Sequence, residues 1–139
     1  MNSSPQTVIR VAAAIIFNEA GQVLLVRKRG STVFMQPGGK IEPDETPLAA
    51  LARELREELR LEIDRDASVY LGKFTADAAN EDGLMVEADT FETPLRGPVA
   101  AAAEIEEITW VDPFGPLALP LAPLSREHIM PVVRERKPS

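Results

Sequence analysis

The chain has 139 residues, a formal net charge of −7 and no cysteine, and 45% of its residues are hydrophobic. This length suits a single domain spanning residues 1–139 with one hydrophobic core, and the lack of cysteine excludes disulfides and thiolate metal sites. The acidic balance argues against non-specific binding of long nucleic acid, which usually requires a basic patch. No apolar run approaches the length of a membrane span, so we expect a cytoplasmic protein with no membrane partner.

The first part of the chain predicts strands followed by a glycine-rich turn. Residues 7–17 and 22–29 are rich in aliphatic side chains and are predicted to form a hairpin across a turn at 18–21. A shorter extended piece, 31–35, leads into the tripeptide Pro-Gly-Gly at 37–39. We interpret this tripeptide as a turn in which the missing side chains let the backbone approach a ligand closely.

An amphipathic helix is predicted directly after this turn. Asp44 or Thr46 can cap its amino end, and Pro47 suits its first turn because a proline there loses no helical hydrogen bond. Apolar residues then recur at spacings of three and four, namely Leu48, Leu51, Ala52, Leu55 and Leu59. The helix therefore has one face to bury.

After the helix, further strands are predicted. Residues 68–76 and 84–91 are predicted to pair across a loop at 80–83. Residues 108–111 are predicted as the last strand, after an irregular stretch at 94–103.

The end of the chain predicts a second helix. Four prolines between residues 113 and 123 exclude regular structure in that stretch. The helix is predicted to start at Ser125 and to run to about Arg136, with Pro131 bending or shortening it. Strands, a helix, more strands and a final helix together predict an α/β domain in which a mixed β-sheet lies between helices.

Three glutamates, Glu54, Glu57 and Glu58, cluster on the first predicted helix. At about 100° per residue they fall within an arc of roughly 100° that borders the apolar stripe. Carboxylates this close repel one another, and a divalent cation that prefers oxygen ligands is the natural counter-charge. The alternative is a solvated, charge-laced helix face on which Arg53, Arg56 and Arg60 relieve part of the repulsion. The neighbouring glycine turn favours a magnesium site that serves phosphate chemistry.

The segment from Gly39 to Leu61 resembles the signature box of the MutT-like Nudix hydrolases, Gly-x5-Glu-x7-Arg-Glu-U-x-Glu-Glu-x-Gly-U, where U is a bulky aliphatic residue. The matching positions are Gly39, Glu45, Arg53, Glu54, Leu55, Glu57, Glu58 and Leu61. Arg60 departs from the pattern, because it stands where the box has its second glycine. Arg60 must either adopt a positive φ there, at a cost of about 1 kcal/mol, or end the helix another way. The resemblance implies the α/β/α sandwich of Nudix proteins, with a mixed sheet between helices.

The resemblance also implies a site for magnesium, with manganese as an alternative ion. The implied metal ligands are the carbonyl of Gly38 and the carboxylates of Glu54, Glu57, Glu58 and Glu104. Glu104 is included because many members place a glutamate six residues before a tryptophan, here Trp110. Glu106 and Glu107 are rivals for this role, and all three can equally form a solvated acidic turn.

The implied chemistry is hydrolysis of the diphosphate linkage in a nucleoside diphosphate derivative, of the nucleoside triphosphate or nucleotide-sugar type. Water attacks a phosphorus surrounded by anionic oxygens, and bound metal ions neutralise those oxygens. Family members differ in which glutamate deprotonates the water, and Glu54 is the first candidate here and Glu104 the second. Arg53 is expected to orient neighbouring carboxylates, and Glu45 to anchor the turn and the helix start.

Some residues outside the acidic cluster are candidates for contact with the substrate. Arg29 or Arg27 can hold a phosphate at the end of a strand, although a solvated basic strand end is the simpler interpretation. Lys40 can meet a phosphate or face solvent. Phe34 can stack on a base or belong to the core. His128, the only histidine, is expected on the last helix without a catalytic role.

Two other functions are left open by the sequence. A non-catalytic nucleotide-binding module of the same fold need not keep the complete acidic box. Isomerisation of isopentenyl diphosphate, which relatives of this fold perform, uses a cysteine that this chain lacks. The sequence does not decide the non-phosphate part of the substrate or whether the protein forms a homodimer, as many family members do.

Overall fold

The computed structural model describes residues 7–78 and 83–136. Within them the strands and helices are β1 Thr7–Ile15, β2 Val23–Lys28, β3 Gly38–Lys40, α1 Pro47–Leu59, β4 Val69–Asp77, β5 Leu84–Glu92, β6 Ile105–Val111 and α2 Met130–Arg136. A 3₁₀ turn, Arg65–Ala67, precedes β4, and a π-helical turn, Ser125–Ile129, precedes α2. Residues 80–82 of the predicted loop lie outside the described residues.

The strands form two sheets. Four of them make a mixed sheet in the order β3-β1-β5-β4, in which β1 runs parallel to β5 and antiparallel to β3. The predicted pairing of β4 with β5 is confirmed and is antiparallel. Strands β2 and β6 form a separate antiparallel pair. The prediction of an α/β fold with a mixed sheet is confirmed.

The predicted turn between β1 and β2 forms, but the prediction that these two strands pair as a hairpin is wrong. The two chain segments share one antiparallel bridge, between Phe17 and Val23. Asn18 closes the turn, since its side-chain oxygen accepts a hydrogen bond from the backbone N–H of Gln22 at 2.9 Å. Both edges of β1 are already occupied by β3 and β5, so β2 pairs with β6 instead.

The mixed sheet is covered on both faces. Ala12, Ala14 and Ile16 pack with the apolar face of α1, whereas the alternate residues Ala13 and Ile15 pack with the apolar residues of α2. This alternation follows from the two-residue period of a strand, which sends successive side chains to opposite faces. The layers are therefore helix, sheet and helix.

Helix α1 forms as its sequence predicts. The hydroxyl of Thr46 accepts a hydrogen bond from the backbone N–H of Ala49 at 3.1 Å, and Pro47 is the first helical residue. Arg60 ends the helix in the left-handed region, with φ of 54° and ψ of 36°, and its N–H donates to the carbonyl of Arg56. Arg60 thus takes over the conformation that glycine has in the Nudix pattern.

The last strand is longer than predicted. β6 begins at Ile105 rather than at residue 108, because Ile105 pairs with Lys28 past an irregularity in the register next to Arg27. The predicted second helix is confirmed, and its first part is widened into the π-helical turn ahead of Pro131. Proline lacks an N–H and crowds the carbonyl four residues earlier, which disfavours a regular α-helix there. No helix among the described residues is both long enough and apolar enough to cross a membrane.

Candidate functional site

The two glycines let β3 lie close to both strand β1 and helix α1. The Pro-Gly-Gly segment was predicted as a turn, but its glycines lie in β3, where Gly38 pairs with Ala13 and Gly39 with Ala12. A Cβ atom on Gly38 would lie 2.0 Å from the carbonyl oxygen of Ala12, and one on Gly39 would lie 2.4 Å from the carboxyl carbon of Glu54. Only residues without a side chain permit both approaches. The close approach that the two glycines permit is therefore to Ala12 and Glu54 of the chain itself, and the expected approach to a ligand stays a prediction.

Glu58 is the most deeply buried of the acidic side chains on α1. It is 2% exposed, and its Oε1 atom has no hydrogen-bond partner within the described part of the chain. Burial raises the pKa of Glu58 to about 7; the ammonium of Lys28 and the backbone N–H of Gly38 oppose the rise, while Glu54 and Glu104 add to it. A buried, unsatisfied carboxylate oxygen is costly to keep, which points to a ligand for it.

Glu54 is held in place by Arg53. Burial raises the pKa of Glu54, and the guanidinium of Arg53, whose Nη1 lies 3.0 Å from Oε1 of Glu54, partly offsets that rise. Arg53 is itself fixed by two hydrogen bonds of 2.8 Å to the carboxylate of Glu45 and by one of 3.0 Å to the carbonyl oxygen of Lys40. This fork holds the pKa of Glu45 near 2. Arg53 therefore connects Glu54 to the segment before α1, through Glu45, and to β3, through Lys40.

Glu57 and Glu104 are the solvent-facing members of the group. The side chain of Glu57 is 57% exposed and lies 4.0 Å from Nη1 of Arg53. Glu104 directly precedes β6, is 63% exposed and has Oε1 at 3.8 Å from Nζ of Lys28. Lys28 also lies 4.0 Å from Oε2 of Glu58. The structure thus brings Glu104 to the same edge as the glutamates of α1.

The rivals of Glu104 face elsewhere. Glu107 hydrogen-bonds to the guanidinium of Arg27 at 3.2 Å, and Glu106 lies 3.8 Å from that of Arg29. Arg27 and Glu107 are a cross-strand pair between β2 and β6, whereas Arg29 directly follows β2. Each of these two glutamates is therefore paired with an arginine of its own.

The residues at the acidic edge fit a divalent metal ion, although they are not yet gathered around one point. In residues 7–78 and 83–136 no three acidic or histidine side chains converge closely enough to hold a metal. Instead, Arg53 lies against Glu54 and Glu57, and Lys28 lies against Glu58 and Glu104. The carboxylates supply the hard oxygen ligands that magnesium prefers, and Oε1 of Glu58 has no hydrogen-bond partner among the described residues.

A cavity of about 270 Å³ opens beside Gly38 and Gly39. Its apolar wall comes from the mixed sheet, from Met35 and from the segment before α2, and includes Ile9, Val11, Val86, Leu124 and Ile129. Its polar lining consists of Lys28, Gln36, Lys40, Asp77 and Ser125. A mostly apolar cavity with a few polar groups next to a charged site is the usual form of a small-molecule pocket.

Gln36 and Ser125 form a buried polar pair in that wall, which the sequence analysis missed. The hydroxyl of Ser125 donates a 2.5 Å hydrogen bond to Oε1 of Gln36, and Nε2 of Gln36 donates to the sulfur of Met130 at 3.6 Å. Sulfur is a weak acceptor, so the amide retains capacity to donate to a ligand. The only signal in the sequence was a polar residue beside the glycine segment.

The predicted substrate-contacting residues are distributed unevenly. Lys40 lines the cavity, whereas Arg29 is 70% exposed and donates to the carbonyl of Ala103 instead. Phe34 is buried in the core and pairs with Leu121 through its backbone, so it is not placed to stack on a base. His128 stacks on Phe74 with ring centroids 6.2 Å apart.

Known proteins resemble this chain in sequence and in fold. The NUDIX domain model matches residues 7–131. A CTP pyrophosphohydrolase of Escherichia coli (strain K12) is 33% identical over 120 residues, which cover 83% of this chain and 84% of that protein. An 8-oxo-dGTP diphosphatase of Haemophilus influenzae is 48% identical over a shorter stretch of 67 residues, 45% of this chain and 48% of that protein.

A solved structure shows the same fold over the whole length. The MutT protein from Methanosarcina mazei Go1 superposes with a TM-score of 0.77, is 26% identical, and the match covers 98% of this chain and 100% of that one. The match covers nearly all of both chains, so the fold described above is shared.

Proposed function

Because this chain belongs to the Nudix family of pyrophosphohydrolases, we propose that it uses magnesium to hydrolyse a nucleoside triphosphate to the monophosphate and pyrophosphate. Nudix hydrolases act on phosphoanhydrides and generally use divalent metal ions, so the proposal concerns the metal, the substrate and the residues in this particular chain. Manganese is the expected substitute ion.

The observation that carries the proposal is the state of Glu58. This carboxylate is 2% exposed, and one of its oxygens accepts no hydrogen bond from the part of the chain that the structure describes. Such a charge is costly unless a cation or a proton compensates it. Glu54 lies near enough to add to its pKa rise, so the two repel each other. We assign Glu54, Glu57, Glu58 and Glu104, with the carbonyl of Gly38, as the groups that would hold magnesium.

The chain's own residues then divide the work of hydrolysis. When bound, magnesium supplies charge neutralisation for the phosphate oxygens. Glu54 takes a proton from the attacking water while the oxygen of that water forms a bond to phosphorus. The bond from phosphorus to the bridging oxygen breaks, and pyrophosphate is released. Arg53 is a positioning residue that fixes the carboxylate of Glu54.

The cavity supplies the place for the nucleoside. It shares Gly38, Gly39 and Lys28 with the acidic edge, so a substrate whose phosphates lie at the glutamates can reach it with its base. The apolar wall suits an aromatic ring, and Gln36 can donate a hydrogen bond to a carbonyl group on that ring. The substrates in the names of the two relatives, CTP and 8-oxo-dGTP, are nucleoside triphosphates whose bases carry such carbonyls.

A panel of nucleoside triphosphates, dinucleotides and nucleotide sugars tests the proposal, with products separated by chromatography. We expect magnesium-dependent turnover of at least one nucleoside triphosphate and its loss in Glu57→Gln and in Glu58→Gln. Glu62→Gln is the matched control, because Glu62 is an exposed glutamate beyond α1 that pairs with Arg56. Binding without turnover on every substrate would instead favour a binding module, and full activity in Glu58→Gln would overturn the metal assignment.

A further inference from the structure

Lys28 occupies an unusual place at the acidic edge. It is the last residue of β2 and pairs with Ile105 just past an irregularity in the β2–β6 register. Such irregularities redirect side chains and are common beside active sites. The backbone also holds the strand end to the loop before β6, since the N–H of Arg29 donates to the carbonyl of Glu104 at 2.8 Å. The backbone at Lys28 is therefore held in place next to the loop before β6.

The ammonium of Lys28 lies between two carboxylates that come from different elements. It is 4.0 Å from Oε2 of Glu58, on α1, and 3.8 Å from Oε1 of Glu104, in the loop before β6. The side chain is about one-third exposed, at 32%. A metal ion that bound both carboxylates would have to occupy the position of the Lys28 ammonium.

The contacts of Lys28 are of a kind that can be exchanged. Both distances exceed those of direct hydrogen bonds, and lysine carries a point charge on a flexible stem. Arg53 offers a contrast, because two hydrogen bonds of 2.8 Å lock its guanidinium to Glu45. Lys28 can leave its position at small cost, whereas Arg53 cannot.

We propose that Lys28 is a built-in counter-ion that holds the place of the metal between Glu58 and Glu104 and competes with magnesium for them. In the metal-free protein it compensates the buried charge of Glu58. When magnesium binds, the ammonium must withdraw toward the adjoining cavity, which it also lines. The inference rests on the proposed function insofar as it requires magnesium to bind at these glutamates.

The competition predicts opposite effects on stability and on metal affinity. Replacing Lys28 by methionine removes the charge while keeping a similar apolar stem. We expect Lys28→Met to melt at a lower temperature in EDTA, because the charge of Glu58 then has no ammonium beside it. We also expect it to bind magnesium about tenfold more tightly, because the positive charge that repels the ion is gone. A lysine with a purely structural role would lower the melting temperature without raising the affinity.

Isothermal titration of the full chain with magnesium alone, without substrate, measures that affinity. Lys28→Arg keeps the charge and should bind magnesium no more tightly than the wild type. Lys73→Met is the matched control, because Lys73 lies 3.7 Å from Glu87 in the mixed sheet, away from the acidic edge. Unchanged or weaker binding by Lys28→Met, with normal binding by the wild type, overturns the role of Lys28 alone. No binding by the wild type overturns the metal site as well.

Discussion

Replacing Glu58 by glutamine separates the stability of the fold from the function of the site. Burial raises the pKa of Glu58 from 4.5 to about 7 despite the nearby ammonium of Lys28. Since one pKa unit corresponds to about 1.4 kcal/mol, keeping this carboxylate ionised costs the metal-free protein about 3 kcal/mol at pH values above 7. The folded protein binds the proton of Glu58 more tightly than the unfolded chain does. The contribution of this proton to the free energy of unfolding is therefore present below pH 4.5 and is lost as the pH rises to about 7.

We therefore expect Glu58→Gln, in EDTA, to be more stable than the wild type at about pH 8, with a smaller difference at about pH 5, where the charge penalty is about 1 kcal/mol. A buried amide also loses hydration, so the gain at the higher pH should stay below about 3 kcal/mol. Urea denaturation at both pH values measures the two free energies of unfolding. Glu62→Gln should show no comparable gain. A Glu58→Gln protein less stable than the wild type at the higher pH would refute the reasoning.

Three further substitutions test other parts of the site and fold. Gly39→Ala should lower kcat by about a hundredfold, because its Cβ would lie 2.4 Å from the carboxyl carbon of Glu54 and displace it; kcat equal to that of the wild type would contradict this. Arg60→Gly should raise the free energy of unfolding by about 0.5–1 kcal/mol, because Arg60 has a φ of 54°, and thermal melting measures the change. Gln36→Leu should raise KM for the preferred nucleotide more than it changes kcat, since Gln36 lines the cavity with Ser125, and an unchanged KM for every nucleotide would remove Gln36 from recognition.

Local features of the fold could be predicted from the sequence. Thr46 and Pro47 mark the start of α1 within a few residues, and the apolar stripe fixes the face that it buries. The left-handed Arg60 was one of two alternatives, and the structure decides between them. Each of these features depends on residues close together in the chain.

Features that depend on distant pairing could not be predicted. No local pattern indicates that both edges of β1 are occupied, so the apolar runs predict that β2 pairs with β1 rather than with β6. The glycine segment is a strand only because β1 pairs with it. Gln36 and Ser125 are 89 positions apart, and their hydrogen bond arises from the packing of the segment before α2. The contact of Lys28 with Glu58 likewise joins a strand end to a helix.

Phosphorus NMR of nucleoside triphosphates incubated with the protein and magnesium tests the central claim most directly. The proposed site predicts that nucleoside monophosphate and pyrophosphate appear together, without orthophosphate, in the wild type and in Glu62→Gln. Neither product should appear in Glu57→Gln or Glu58→Gln, or when EDTA replaces magnesium. Orthophosphate as the initial product, or undiminished pyrophosphate release by Glu58→Gln, would contradict the account.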